Sequence, residues 1–194
     1  MKKYVLIACA AVAAMAFASC NKDPEVEKEE EEQEVKTDYT KLVINEANAT
    51  AAADAEKFVE FYNTGDAAIS LEGVVVKRTD ETNETADVWE GLAGETVPAK
   101  GFFVIQGTKK SLERSLSSGL SAKKGVKLEV FDPEGKSVTS VTHGDPAADG
   151  APATKIQTGV WARIPDGGAW KNVTNPTPGK ANDATGAQDD DELK

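Results

Sequence analysis

The chain has 194 residues, with 33 acidic against 22 basic side chains and a formal net charge of −11. An acidic surface repels nucleic acid and anionic membrane surfaces, which counts against either as a main partner. With two cysteines (Cys9 and Cys20) and a single histidine (His143), it is also too poor in nitrogen and sulfur ligands for a zinc site.

Lys2 and Lys3 precede an apolar run over residues 4–18. Such a run has the length of a signal-peptide core and falls short of the about 20 residues that a membrane span needs. Phe17-Ala18-Ser19-Cys20 then resembles the lipobox of bacterial lipoproteins, with Phe17 where an aliphatic residue is usual. Residues 1–19 are therefore expected to be a lipoprotein signal peptide and Cys20 to carry the lipid. At about 0.8 kcal/mol per buried methylene, more than one acyl chain gives stable anchoring. Removal of residues 1–19 takes Lys2, Lys3 and Cys9 with it, leaving a net charge near −13 and no cysteine to pair. The fold must then rest on its core alone, although it is exported to a compartment that permits disulfides.

Residues 20–39 read as the lipidated cysteine followed by an acidic tether containing Glu25, Glu27, the glutamates at 29–32 and Glu34. Like charges repel one another and cannot be buried, so the tether is extended, spanning at most about 60 Å over residues 21–38. Acids directly after a lipidated cysteine resemble the surface-export signals of Bacteroidetes lipoproteins, and one segment can serve as both spacer and signal. The implied address is the outer membrane, lipid-anchored through Cys20 and exposed at the cell surface.

From residue 40 the pattern becomes that of strands. Residues 41–46, with Leu42 and Ile44 on one face, and residues 57–62 are the first two, and Asn63-Thr64-Gly65-Asp66 is a turn cluster. Residues 69–71, 74–78 and, more weakly, 88–92 follow, then 102–106 after Pro98-Ala-Lys-Gly101. Residues 126–131 and 137–142 flank the hairpin loop Asp132-Pro-Glu-Gly135, and 160–164 and 170–173 close the series. Only residues 111–117 suggest a short helix. Some eight to ten short strands with recurring turns predict an all-β, antiparallel sandwich over residues 40–182. The acidic stretch 183–194 reads as a disordered tail.

Several segments together resemble the lamin tail domain in its bacterial form. Ile44-Asn45-Glu46 matches the family's opening strand, and Phe58-Val59-Glu60-Phe61-Tyr62-Asn63 its next one. Ile69-Ser-Leu-Glu-Gly73 follows. The ending Arg163-Ile-Pro165-Asp166-Gly167, Trp170 and Thr177-Pro178-Gly179-Lys-Ala-Asn182 matches in order and spacing. The resemblance covers roughly residues 40–182 and is poorest over 79–95. It implies an immunoglobulin-like sandwich, and a non-enzymatic interaction module as in animal nuclear filaments. Fold does not fix function, so the functional part is analogy.

The motif residues have a structural reading: Gly167 and Gly179 suit turns with positive φ, Pro165 and Pro178 direct the chain, and Trp170 seals the sandwich. Other sites compete with it. His143 with Ser137 or Ser140 lacks a nucleophile elbow and reads as polar surface. Asp132, Asp145, Asp149 and Asp166 are loop oxygens that calcium would accept, though without EF-hand spacing. Glu46 and Glu60 form a carboxylate pair on neighbouring strands, where glutamates usually face water or a lysine. Lys109, Lys110, Arg114, Lys123, Lys124 and Lys127 form a basic cluster open to an anionic glycan or to the tether. No catalytic residue, metal or other cofactor is expected. The expected protein is a monomer recognising an unknown protein or glycan ligand. A glycan-binding accessory role is the alternative, provided Trp89 or Trp161 is exposed for stacking, and a cryptic hydrolase would need a cleft of convergent polar groups.

Overall fold

The computed structural model describes residues 36–50, 57–80, 82–107, 114–117, 120, 125–143, 160–190 and 193–194. The expected signal peptide, Cys20 and most of the tether lie outside these residues. So do residues 111–113 of the expected helix at 111–117, whose described part, 114–117, is turn and bend with no helix, and Lys109, Lys110, Lys123, Lys124, Asp145 and Asp149 of the proposed clusters.

A 3-10 turn (Tyr39–Lys41) opens the described chain, with the Asp38 carboxylate accepting from the Thr40 amide. Eleven strands follow among the described residues. They are β1 (Leu42–Asn48), β2 (Phe58–Asn63), β3 (Ile69–Ser70), β4 (Val75–Thr79), β5 (Thr85–Glu90), β6 (Thr96–Val97), β7 (Phe102–Gln106), β8 (Val126–Phe131), β9 (Ser137–His143), β10 (Val160–Ile164) and β11 (Ala169–Asn172). One sheet runs β11-β10-β1-β2-β7, a second β5-β4-β8-β9, and β3 pairs with β6. Every pairing is antiparallel, and the result is an immunoglobulin-like β-sandwich. The strand that the sequence expectation lacks is β6, a two-residue pairing with β3 that is too short to leave a period-two pattern.

The core lies between the two larger sheets. Leu42, Ile44, Ala47, Val59, Phe61, Ile105 and Trp161 from the first meet Val76, Val88, Leu128, Val130 and Val141 from the second, all fully or nearly fully buried. Each large aliphatic or aromatic side chain so buried contributes about 1.5–3 kcal/mol. The alternation is clean on β8, where Val126, Leu128 and Val130 are buried and the residues between them are half-exposed. It breaks on β1. Ile44 pairs with Phe61 but Glu46 pairs with Glu60, so Asn45 is an extra, bulged residue. Without the bulge, Glu46 would share the inward face of Ile44. With it, Glu46 turns to the outer face and Ala47 takes the next core position.

The weakly patterned region 79–95 is β5 and its turns. A register shift against β4 lets Val88 and Trp89 both be buried, which hides the strand from a period-two reading. Close by, the chain at Gly91 passes so near Leu71 that a Cβ would sit 1.8 Å from its carbonyl oxygen. Only glycine fits there.

The expected disordered tail needs correction. Gln188 exchanges two main-chain hydrogen bonds with Asn172 of β11, at 2.9 Å each. Further on, Leu193 bridges His143, and Lys194 exchanges two main-chain bonds with Thr142 of β9. The segment therefore joins an edge strand of one sheet to an edge strand of the other. Its composition is that of a solvated tail, but edge strands offer unpaired amides and carbonyls that any extended segment can satisfy.

Candidate functional site

The motif residues converge on the outer face of the five-stranded sheet, beneath the chain that follows β11. The in-register pair Glu46 and Glu60 places two carboxylates side by side, and the strap formed by residues 174–183 crosses over them. Thr177 donates its amide to both carboxylate oxygens of Glu46, at 3.0 and 3.1 Å, and its hydroxyl to Oε2 at 3.0 Å. Gly179, held at φ +76, donates its amide to Glu60 Oε2 at 2.6 Å. Pro178, between the two donors, has no amide of its own to satisfy.

Asn45 and Asn182 tie the strap to the sheet. The bulge aims the Asn45 amide outward, where Nδ2 donates to Glu60 Oε1 at 3.1 Å and to Asp166 Oδ1 at 3.0 Å. Its Oδ1 accepts from the Gly167 amide at 3.0 Å, in the β10–β11 turn where Gly167 has φ +73. Asn182 donates its backbone amide to Asp166 and its side-chain amide to the main-chain carbonyls of Asn45 and Arg163. The Ile164–Pro165 peptide leading into this turn is cis. Arg163 lies outside the carboxylate cluster. It donates to the carbonyls of Ile44 and Gly168 and stacks on Trp170, with 4.6 Å from guanidinium carbon to ring centre. Asn63 is separate too: its side chain closes the β2–β3 turn on Ala67, Val97 and Gly65.

Glu46 and Glu60 are fully buried, contrary to the expectation that they face water or a lysine. Burial pushes both carboxyls up to about 7 from an ordinary 4.5. The strap's donors oppose this, and nearby Asp166 raises both further, as Glu46 does for Glu60. Chemically this is a pair of buried carboxyls that hold their protons up to near neutrality. Its acceptors are already taken by the strap, so in this arrangement it is a clamp rather than an acid–base centre facing solvent.

The other sequence candidates resolve differently. His143 is no surface residue. It is fully buried, stacked on Trp161 at 4.4 Å between ring centres, with Nε2 3.1 Å from Asp190 Oδ2. The Ser137 hydroxyl donates instead to Glu129. Asp132 Oδ1 accepts from the Glu134 and Lys136 amides and so closes its own hairpin turn, while Asp166 serves the strap. Arg114 makes a paired contact with Glu95 at 2.9 and 2.6 Å and lies over Trp89, and Lys127 pairs with Glu129. Trp89 is only 5% exposed and Trp161 not at all, so neither offers the stacking face that the glycan alternative requires. Sequence reasoning missed Asp190 and Asn172. Asp190 sits in an acidic run that reads as solvated charge, and nothing local singles it out.

A family model described as the Lamin Tail Domain matches residues 36–145. The chain belongs to the lamin tail domain family. No curated protein matches it. The matched stretch ends before the Arg163 to Asn182 motifs. Their hydrogen bonds to Asn45, Glu46 and Glu60 nonetheless make them part of the same lamin tail fold. That fold suggests a non-catalytic interaction module.

Proposed function

We propose that this lamin tail domain is displayed at the cell surface by a lipid on Cys20 and an acidic tether, and there binds a protein of the envelope or the surroundings. The observation that carries the non-catalytic part is the employment of the reactive groups. Glu46, Glu60 and His143 are all buried, and each is held by a partner belonging to the fold. What remains for a partner is main chain and half-exposed side chain. Strand β7 is an edge of the five-stranded sheet, and Phe102 packs on Tyr62 beside it, with ring centres 5.0 Å apart and both rings half-exposed. Sheet edges and aromatic pairs of this kind are what strand-adding partners use.

Protease shaving of intact cells, with mass spectrometry of the Cys20 peptide, tests the address. An acylated Cys20 with the domain shed by external protease is the expected outcome. A domain protected from protease on intact cells would put its partners inside the envelope. An unacylated Cys20 would remove the anchor altogether.

A further inference from the structure

Residues 36–40 run beside the β8–β9 hairpin and enclose with it a cavity of about 330 Å³. That is within the range of small-ligand sites. Its apolar side is made by Tyr39 and Val138, both packed against the main core. Its polar side is made by Asp132, Glu134 and Lys136 of the hairpin, with Lys36 and Asp38 of the entering chain. The cavity shares no residue with the strap cluster.

Asp132 sets its chemistry. The carboxylate is fixed in place, because Oδ1 accepts from the Glu134 and Lys136 amides at 3.0 and 2.9 Å. The residue is only 8% exposed, yet Oδ2 has no hydrogen-bond partner among the described residues. A carboxylate so placed calls for a donor, and a charged donor answers it more strongly than a neutral one. Asp38 is already committed, its Oδ1 accepting from the Thr40 amide and hydroxyl.

An ammonium group already stands at the mouth. Lys36 Nζ donates to Glu134 Oε1 at 2.7 Å. The hydrogen bond and charge of Glu134, with a smaller contribution from Asp132, hold the proton of this ammonium more tightly than usual. Both side chains are mostly in water, 79% and 68% exposed, and an ion pair so exposed contributes little. A competing amine can therefore displace Lys36. With Lys36 withdrawn, Asp38, Asp132 and Glu134 line the cavity against one base, Lys136, and the site is net negative.

We propose that this cavity receives a lysine side chain of the protein partner, with Lys36 holding the place until that partner docks. The inference deepens the binding role proposed above and rests on it. Lysine fits because its compact ammonium carries three donors on a flexible apolar stem. The stem lies along Tyr39 and Val138, and the head takes Asp132 Oδ2 and Glu134 together. Docking there also frees the root of the tether from the hairpin.

The test titrates the full chain with Nα-acetyl-lysine methylamide, and with the norleucine counterpart, which keeps the alkyl stem and lacks the ammonium. Chemical shifts of the Glu134 and Lys136 amides, which are bound to Asp132, report occupancy. The expected result is a saturable shift of both amides with the lysine probe and none with norleucine. Lys36→Ala removes the internal occupant and should tighten the apparent Kd about two- to fivefold. Adding Glu134→Gln to that variant should weaken it again by about the same factor. Equal shifts from both probes, no shift at these amides, or a Kd unmoved by Lys36→Ala overturns the proposal. These results are read on the purified chain, so they stand apart from where protease shaving places the domain.

Discussion

Glu46 and Glu60 show how far a residue's neighbours can move it from its usual behaviour. Read locally, a strand glutamate is a surface residue, and its burial here follows from chain that returns more than a hundred residues later. The pH dependence of stability should report this. Both carboxyls hold their proton more tightly in the folded protein, near 7, than at the ordinary 4.5 of an unfolded chain. Their contribution is full below about pH 4.5 and is lost as pH rises through about 7. The lowered carboxyls of Asp38, Asp80, Glu95, Glu129 and Asp183 act with the opposite sign, but below that window. Thermal melts should therefore show a melting temperature higher by several degrees near pH 5 than near pH 8. Glu60→Gln, which removes one of the two groups, should roughly halve that slope. A melting temperature that climbs with pH across the window would show that the pair is not desolvated as described.

Among the elements, β1 and the strap depend on each other. The bulge at Asn45 turns Glu46 outward, and the strap supplies the donors that make a buried carboxylate tolerable. Asn182 is the strap's main tie, through bonds to Asn45, Arg163 and Asp166. Asn182→Ala would leave the Asn45 and Arg163 carbonyls without their side-chain donor. A loss of about 2–4 kcal/mol in denaturant unfolding is expected, with faster hydrogen exchange at the Thr177 and Gly179 amides than elsewhere in the domain. Unchanged exchange at those two amides would mean that the strap is held by something else. The strands themselves were largely legible, since Leu42 with Ile44 and the alternation of β8 follow a period of two. The bulges on β1 and between β4 and β5 were not, because one extra residue leaves composition unaltered while inverting every face after it.

For the whole molecule, the notable feature is that both sheets are joined at their edges by residues that resemble a solvated tail. Asp190→Ala leaves the His143 and Asn172 donors without their shared acceptor, at an expected cost of about 2–3 kcal/mol. The Thr142 and Asn172 amides should lose exchange protection before the core strands do. Uniform loss of protection would mean that the segment belongs to the global folding unit and not to a separable latch.

The sequence by itself determined the all-β class, the order of most strands, the glycine turns at 167 and 179, and the family, because each rests on local pattern or on motifs in a set order. Only the tertiary structure decided that Asn45, Glu46, Glu60, Asp166 and Asn182 form one buried cluster, and that Asp190 seats between His143 and Asn172. The physical reason is that burial is a property of what lies above a residue. For these side chains the cover comes from segments as much as 137 positions away.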